Sequence, residues 1–348
     1  MRYFTALLVV LCSLPALCNA AEIHISKPEN DKLVMSPTID VEGTGTPEGA
    51  IVTLTINGST LNASVTAGHW RLTGLGLNVG ANVIQAQIQD KMTSVLVVRG
   101  TDNIQRRPAQ KVRFLWNSGT DDEIKLIAQQ SLDAGLSQGQ LIQFANSVKN
   151  RTVEVFRARY AGVGDIQVVS SDGNDVHTIA LFSLSSGLFG SSPFDCGNRR
   201  LKEVTRVFVG TYRSQMTQPT DAAGFISGWG PMRRSDAIEV RIEDAAQAFG
   251  RTSAHELGHS LGLTGEATDS ECRWMDGCDG GHNCDAFDVR FPLANRFDSG
   301  WHIMDPGPKT LNNARLSEPD PLTRAAQRKG PIFDVFAGSY LSIIHPLP

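Results

Sequence analysis

The sequence predicts two folded parts of different class: an all-β antiparallel sandwich over residues 22–100 and an α+β domain over residues 111–348. Three observations predict this. Apolar residues alternate with period two through the first hundred positions, the mark of half-buried strands. From Ile124 onward the spacing changes to the three or four residues of a helix face. The length, 348 residues with 41% hydrophobic content, is enough for two ordinary domains with cores of their own.

The first twenty residues read as a secretory signal. Arg2 supplies a positive start, and the apolar run 4–11 is too short to span a bilayer. Cys18-Asn19-Ala20 then ends in a small residue suited to cleavage after Ala20. Residues 1–20 are therefore expected to be a signal peptide, with export to a periplasm or the extracellular space. No later stretch is apolar enough for a transmembrane segment. A net charge of −4 gives no basic excess for nucleic acid.

Within 22–100, Ile39 and Val41 alternate with polar neighbours. Val52, Leu54 and Ile56 alternate with threonines, and Ile84, Ala86 and Ile88 with glutamines. Asn57-Gly58 marks a two-residue hairpin, because a type I′ turn needs positive φ at both central positions. Glycines and Pro47 punctuate the rest into about seven short strands. Trp70 is expected in the core and His69 in solvent. The runs TIDVEGTGTPEGAIVTLTING and LNVGANVIQAQIQD make this segment resemble a bacterial immunoglobulin-like domain. The resemblance implies a spacer, an adhesion module or a folding aid, with surface or polymer contact as its partner role. The segment has no cysteine, so no disulfide joins its sheets. Residues 101–110 read as a linker. Its Arg106-Arg107-Pro108 fits a processing site or, preferably, a solvated connection.

The second part opens with a strand at 111–116. Asp121 and Asp122 suit a helix N-terminus, and Ile124, Ile127, Ala128 and Leu132, then Leu141, Phe144, Ala145 and Val148, keep helical spacing. Gly135 and Gly139 suggest a break between two helices. Strands follow at 166–169, 176–181 and 204–209, giving a sheet covered by helices. A further helix is expected from an N-cap at Asp244 to Leu263, with Gly250 its weak point. A last helix fits Phe333, Phe336, Tyr340, Ile343 and Ile344.

His255-Glu256-Leu257-Gly258-His259 carries the chemistry. Residues i and i+4 lie one above the other on a helix, so His255 and His259 can grip one zinc ion. Glu256 can then reach a water on the metal and act as general base. Gly262 can end the helix in the left-handed region and turn the chain back. A structural zinc takes four protein ligands, whereas a catalytic one keeps a position open.

With Gly262 in place, the pattern H-E-x-x-H-x-x-G resembles the metzincin clan of zinc metallopeptidases, in which a third His and a methionine-containing turn follow. Position 265, where the compact motif has its third His, is Gly265. The resemblance therefore implies a displaced ligand, with an insertion between. His282 is the preferred third ligand and His302 the alternative, with Glu266 and Asp269 as further options. Trp301-His302-Ile303-Met304-Asp305-Pro306 looks like the methionine turn, with Met304 as its residue.

Outside the signal stand Cys196, Cys272, Cys278 and Cys284, which in an exported protein suggest two disulfides with three possible pairings. Their spacing lacks the C-x2-C pair of a zinc knot. Asp276, Asp279, Asp285 and Asp288 offer oxygen ligands for calcium but match no EF-hand spacing. The expected function is an exported zinc endopeptidase acting on protein or peptide substrates. The alternatives are a non-catalytic surface-binding or adhesion protein with a degenerate metal site, and a zinc hydrolase of non-peptide bonds.

Overall fold

The computed structural model describes residues 20–101, 104–132, 135–195, 197–216, 237–263, 303–304, 333 and 335–348. Among these the chain is mixed α/β, with three sheets and several helices.

The first part has eight strands rather than about seven. β1 (Glu22–Lys27), β3 (Thr38–Thr46) and β6 (His69–Gly76) make an antiparallel sheet in the order β1-β3-β6. A second sheet runs β2 (Lys32–Val34), β8 (Lys91–Arg99), β7 (Gly80–Ile88), β4 (Ile51–Ile56), β5 (Ser59–Ser64). Val41, Val52, Leu54, Ile84 and Ala86 fill the space between them. The β4–β5 hairpin turns on Asn57 and Gly58 with φ 49° and 77°, the type I′ values the dipeptide predicted. Trp70 is buried and its indole N–H donates to the Thr44 carbonyl at 3.0 Å, while His69 is exposed.

β8 departs from simple alternation. Val95, Leu96, Val97 and Val98 are all buried. Val95 and Val97 face the sandwich core, whereas Leu96 and Val98, with Leu33 of β2, belong to the core of the second part. The linker is likewise held: Arg107 N–H donates to Ile344 O at 2.8 Å, and Gln105 N–H to Gly197 O at 3.0 Å.

The second part is built on β9 (Gln110–Trp116), β10 (Ile166–Val168), β11 (Val176–Phe182), β12 (Gly190–Ser191) and β13 (Val204–Phe208), in the order β10-β9-β11-β13-β12. The pairs are parallel except at the edge, where β12 runs antiparallel to β13. α1 (Thr120–Ser131) and α2 (Gln138–Tyr160) follow β9. α2 begins at a capping box, Ser137 with Gln140, so Gly139 lies inside its first turn rather than in the break. α3 (Val209–Met216) takes up Val209, which the sequence had placed at a strand end.

α4 (Ile238–Ser260) carries the motif. Asp244 is not its N-cap. The helix starts at Ile238, after Ala237, which makes no side-chain cap. Ile238, Ile242, Ala245 and Phe249 form one apolar stripe against the core, and that packing extends the helix past the capping signal. Gly250 does not break it either. A Cβ there would lie 2.7 Å from Val155 Cγ1 and 2.8 Å from Thr152 O, so its bareness lets α4 lie close on α2. Arg151 locks the two helices by two hydrogen bonds to Glu243, at 2.7 and 3.1 Å. The last helix, α5 (Val335–Ile344), packs Ala337, Leu341 and Ile344 into the same core.

Candidate metal centre

The final turns of α4 bring His255 and His259 together, one helical turn apart. Their rings meet edge to face with centroids 4.6 Å apart, and their Nε2 atoms are separated by 3.0 Å. Each Nδ1 points to a backbone carbonyl. His255 Nδ1 lies 2.6 Å from Ile303 O, and His259 Nδ1 is 3.4 Å from Leu263 O. Those partners assign the ring proton to Nδ1 and leave a lone pair on each Nε2. Two lone pairs that close repel unless a cation or a shared proton stands between them. Two zinc–nitrogen bonds at a tetrahedral angle would set such nitrogens roughly 3.3 Å apart. The pair therefore fits one zinc ion of the borderline-soft kind that imidazole prefers.

Glu256, next in sequence to His255, lies against the sheet edge. It is buried, and burial pushes its carboxyl up to about 8. Its Oε1 stands where a side chain on Gly190 of β12 would begin: a Cβ there would be 2.4 Å away. Only glycine at 190 leaves the carboxyl its place against the edge strand.

Gly258, between the histidines, is covered by Met304. The buried Met304 sulfur would lie 2.5 Å from a Cβ at 258. The turn holding Ile303 and Met304 thus seats a sulfur under the helix face and a carbonyl on His255. Gly262 adopts φ 94°, in the left-handed region, and closes the helix, with Leu263 N–H donating to Gly258 O at 2.9 Å. Tyr340 of α5 seals that turn, donating to Leu261 O at 2.6 Å. Asp195 N–H donates to His259 O at 3.3 Å, tying the segment after β12 to the same turn.

No family model matches this chain, and none of the curated proteins matches it. Some solved structures are similar in part. High choriolytic enzyme 1, a hatching-enzyme zinc protease from Oryzias latipes (medaka), is 12% identical with a TM-score of 0.26, over 69% of this chain and 92% of that one. CopC from Methylosinus trichosporium OB3b is 13% identical with a TM-score of 0.19, over 23% of this chain and 96% of that one. XAC1771, a carbohydrate acetylesterase from Xanthomonas citri, is 12% identical with a TM-score of 0.19, over 44% of this chain and 49% of that one. All three likenesses are weak.

Of the residues singled out in the sequence, the structure gathers His255, Glu256, His259, Gly262 and Met304 around one end of α4. His282, His302, Glu266 and Asp269 lie outside the described residues, as do the four candidate cysteines and the four candidate calcium-binding aspartates. Residues 1–19 of the expected signal are outside them too. Among the described residues no group of three His, Cys, Asp or Glu side chains gathers at one point. Nor is any described helix long and apolar enough to cross a membrane.

Sequence reasoning missed Gly190, which borders Glu256, and His177, Ser192, Thr205 and Ser260, which hydrogen-bond together at the end of α4. Ser260 stood beside the motif, but nothing local marks the others. Those residues lie on or next to β11, β12 and β13, distant in sequence, and are brought near α4 by the sheet.

Proposed function

We propose that this protein is a zinc-dependent peptidase, with His255 and His259 as metal ligands and Glu256 as general base. The observation that carries the reading is the 3.0 Å approach of two Nε2 atoms on a helix whose neighbouring carboxyl is buried against a sheet edge. His282, or alternatively His302, is the third ligand in this reading. Met304 and Gly262 are the supporting turn and helix stop of a metzincin-like domain spanning residues 111–348. When bound, zinc supplies Lewis-acid polarisation of a carbonyl and acidifies water to a pKa on the order of 7.

The remaining chemistry belongs to the chain. A cation held beside it would favour the ionised form of Glu256, which accepts a proton from the attacking water and passes it to the leaving amide nitrogen as the C–N bond breaks. β12 supports a peptide as substrate. Among the described residues it pairs only with β13, on one side, so its other side offers main-chain groups that an extended peptide can complete. Residues 22–100 form an immunoglobulin-like module joined by residues 101–110, and residues 1–20 direct export.

The test is metal content and proteolysis of the mature protein and of Glu256→Ala. About one zinc per chain is expected in both, with cleavage of a casein substrate falling by at least ~100-fold in the variant. Undiminished cleavage would remove Glu256 from the reaction. A parent protein that takes up no zinc and cuts nothing would instead support a surface-binding role with a degenerate site.

A further inference from the structure

Under the last turn of α4, side chains from four segments meet on one hydroxyl. Thr205 Oγ1 of β13 lies 2.8 Å from His177 Nε2 of β11, 3.0 Å from Ser192 Oγ just past β12, and 3.2 Å from Ser260 Oγ at the end of α4. Ser192 and Ser260 also hydrogen-bond each other, and Ser260 donates to Pro193 O at 3.3 Å. Thr205, Ser260 and His177 are buried. Buried hydroxyls and imidazoles need partners, and leaving one without a partner destabilises the fold. This cluster holds together only if all its segments stay in register.

The geometry has a consequence at the sheet edge. β12 is two residues long, with two residue pairs to β13, too short a ladder to hold an edge strand firmly. Ser192 follows β12 directly, and Ser260 follows His259 directly. Thr205 therefore joins the end of the edge strand to the residue beside a metal-binding histidine. We infer that Thr205, acting through Ser192 and Ser260, is a positioning residue that fixes β12 relative to the histidine pair. A peptide paired along β12 then lies at a set depth over His255 and His259. The inference rests on the peptidase reading for its substrate, but the anchoring of β12 is a property of the chain itself. His177 stays neutral in its buried place, so its Nε2 can serve Thr205 as donor or acceptor according to tautomer.

The experiment uses full-length mature protein loaded with zinc. Thr205→Val keeps the shape and deletes the oxygen, Thr205→Ser keeps the oxygen, and Ser260→Ala removes one arm. Amide exchange at residues 190–192 is followed by mass spectrometry, together with zinc per chain. KM and kcat are measured on a quenched fluorescent peptide spanning the casein bond cut fastest. Thr205→Val is expected to raise exchange at β12 and KM by about 10-fold each, with kcat within about 3-fold and zinc per chain unchanged. Thr205→Ser should restore both, and Ser260→Ala should move both the same way if Thr205→Val does not fold. Unchanged exchange and KM overturn the inference. So does a joint fall of kcat and zinc with KM constant, because Thr205 would then only support the helix. If the parent cuts no peptide, exchange alone decides: a rise upholds the anchoring and it is the peptidase reading that fails.

Discussion

His177 is buried on β11 and shares its Nε2 with Thr205, and burial lowers its pKa to about 3 from the ordinary 6.5. The unfolded chain therefore takes up a proton before the folded one does. The stability this group permits is complete above pH 6.5 and drains away as pH falls from 6.5 toward 3, by up to about 1.4 kcal/mol per pH unit. His345, lowered to about 4 mainly by burial, acts in the same sense. Urea unfolding of the metal-free protein at pH 7, 6, 5 and 4 should show this loss, and His177→Gln should flatten it. Parallel slopes for the two proteins would mean that His177 is already charged in the folded state. At this scale the sequence was legible where chemistry is local. His255, Glu256 and His259 sit within five residues, and helix geometry alone places them. His177, Thr205 and Ser192 were not legible, because their meeting depends on strand order, and a lone buried His or Thr has no pattern of its own.

At the scale of elements, the long helices and hairpins followed from periodicity, while their ends and contacts did not. α4 begins at Ile238 because its apolar stripe continues onto the core, six residues before the aspartate that looked like a cap. Gly250 looked like a flaw in that helix and is a contact surface instead. Glycine-to-alanine in an exposed helix gains about 1 kcal/mol of helix propensity. Here the new methyl would stand 2.8 Å from Thr152 O, a backbone atom of α2 that cannot rotate aside. Overpacking of this kind costs typically 1–3 kcal/mol, so it outweighs the propensity gain. Gly250→Ala is expected to lower stability by about 1–2 kcal/mol, read as a lower urea midpoint at unchanged m-value. A stabilised variant would show that α2 and α4 can separate freely. β12 escaped the sequence reading for a related reason. Two residues, Gly190 and Ser191, are too few for alternation to register.

At the scale of the whole molecule, β8 decides how the two parts relate. The sequence reads them as separate domains joined by a solvated linker, yet its run Val95-Leu96-Val97-Val98 lacks the polar alternation of a strand with one wet face. Continuous apolar strands are those buried on both sides. Val95 and Val97 point into the sandwich, and Leu96 and Val98 join Leu33 in the core that also holds α2 and α5. The first part is thus a wall of the second, and Arg107 fastens the connection to the end of α5. Leu96→Ala removes a side chain from that shared core while leaving the sandwich face of β8 intact. A loss of about 2–4 kcal/mol is expected. Because the cores share a strand, the loss should reach both parts together. Amides of β3 and of α2 should lose protection at the same urea concentration, in the parent and in the variant. If β3 keeps its protection after α2 has lost it, the sandwich is an independent unit and the contact through Leu96 contributes little to either core.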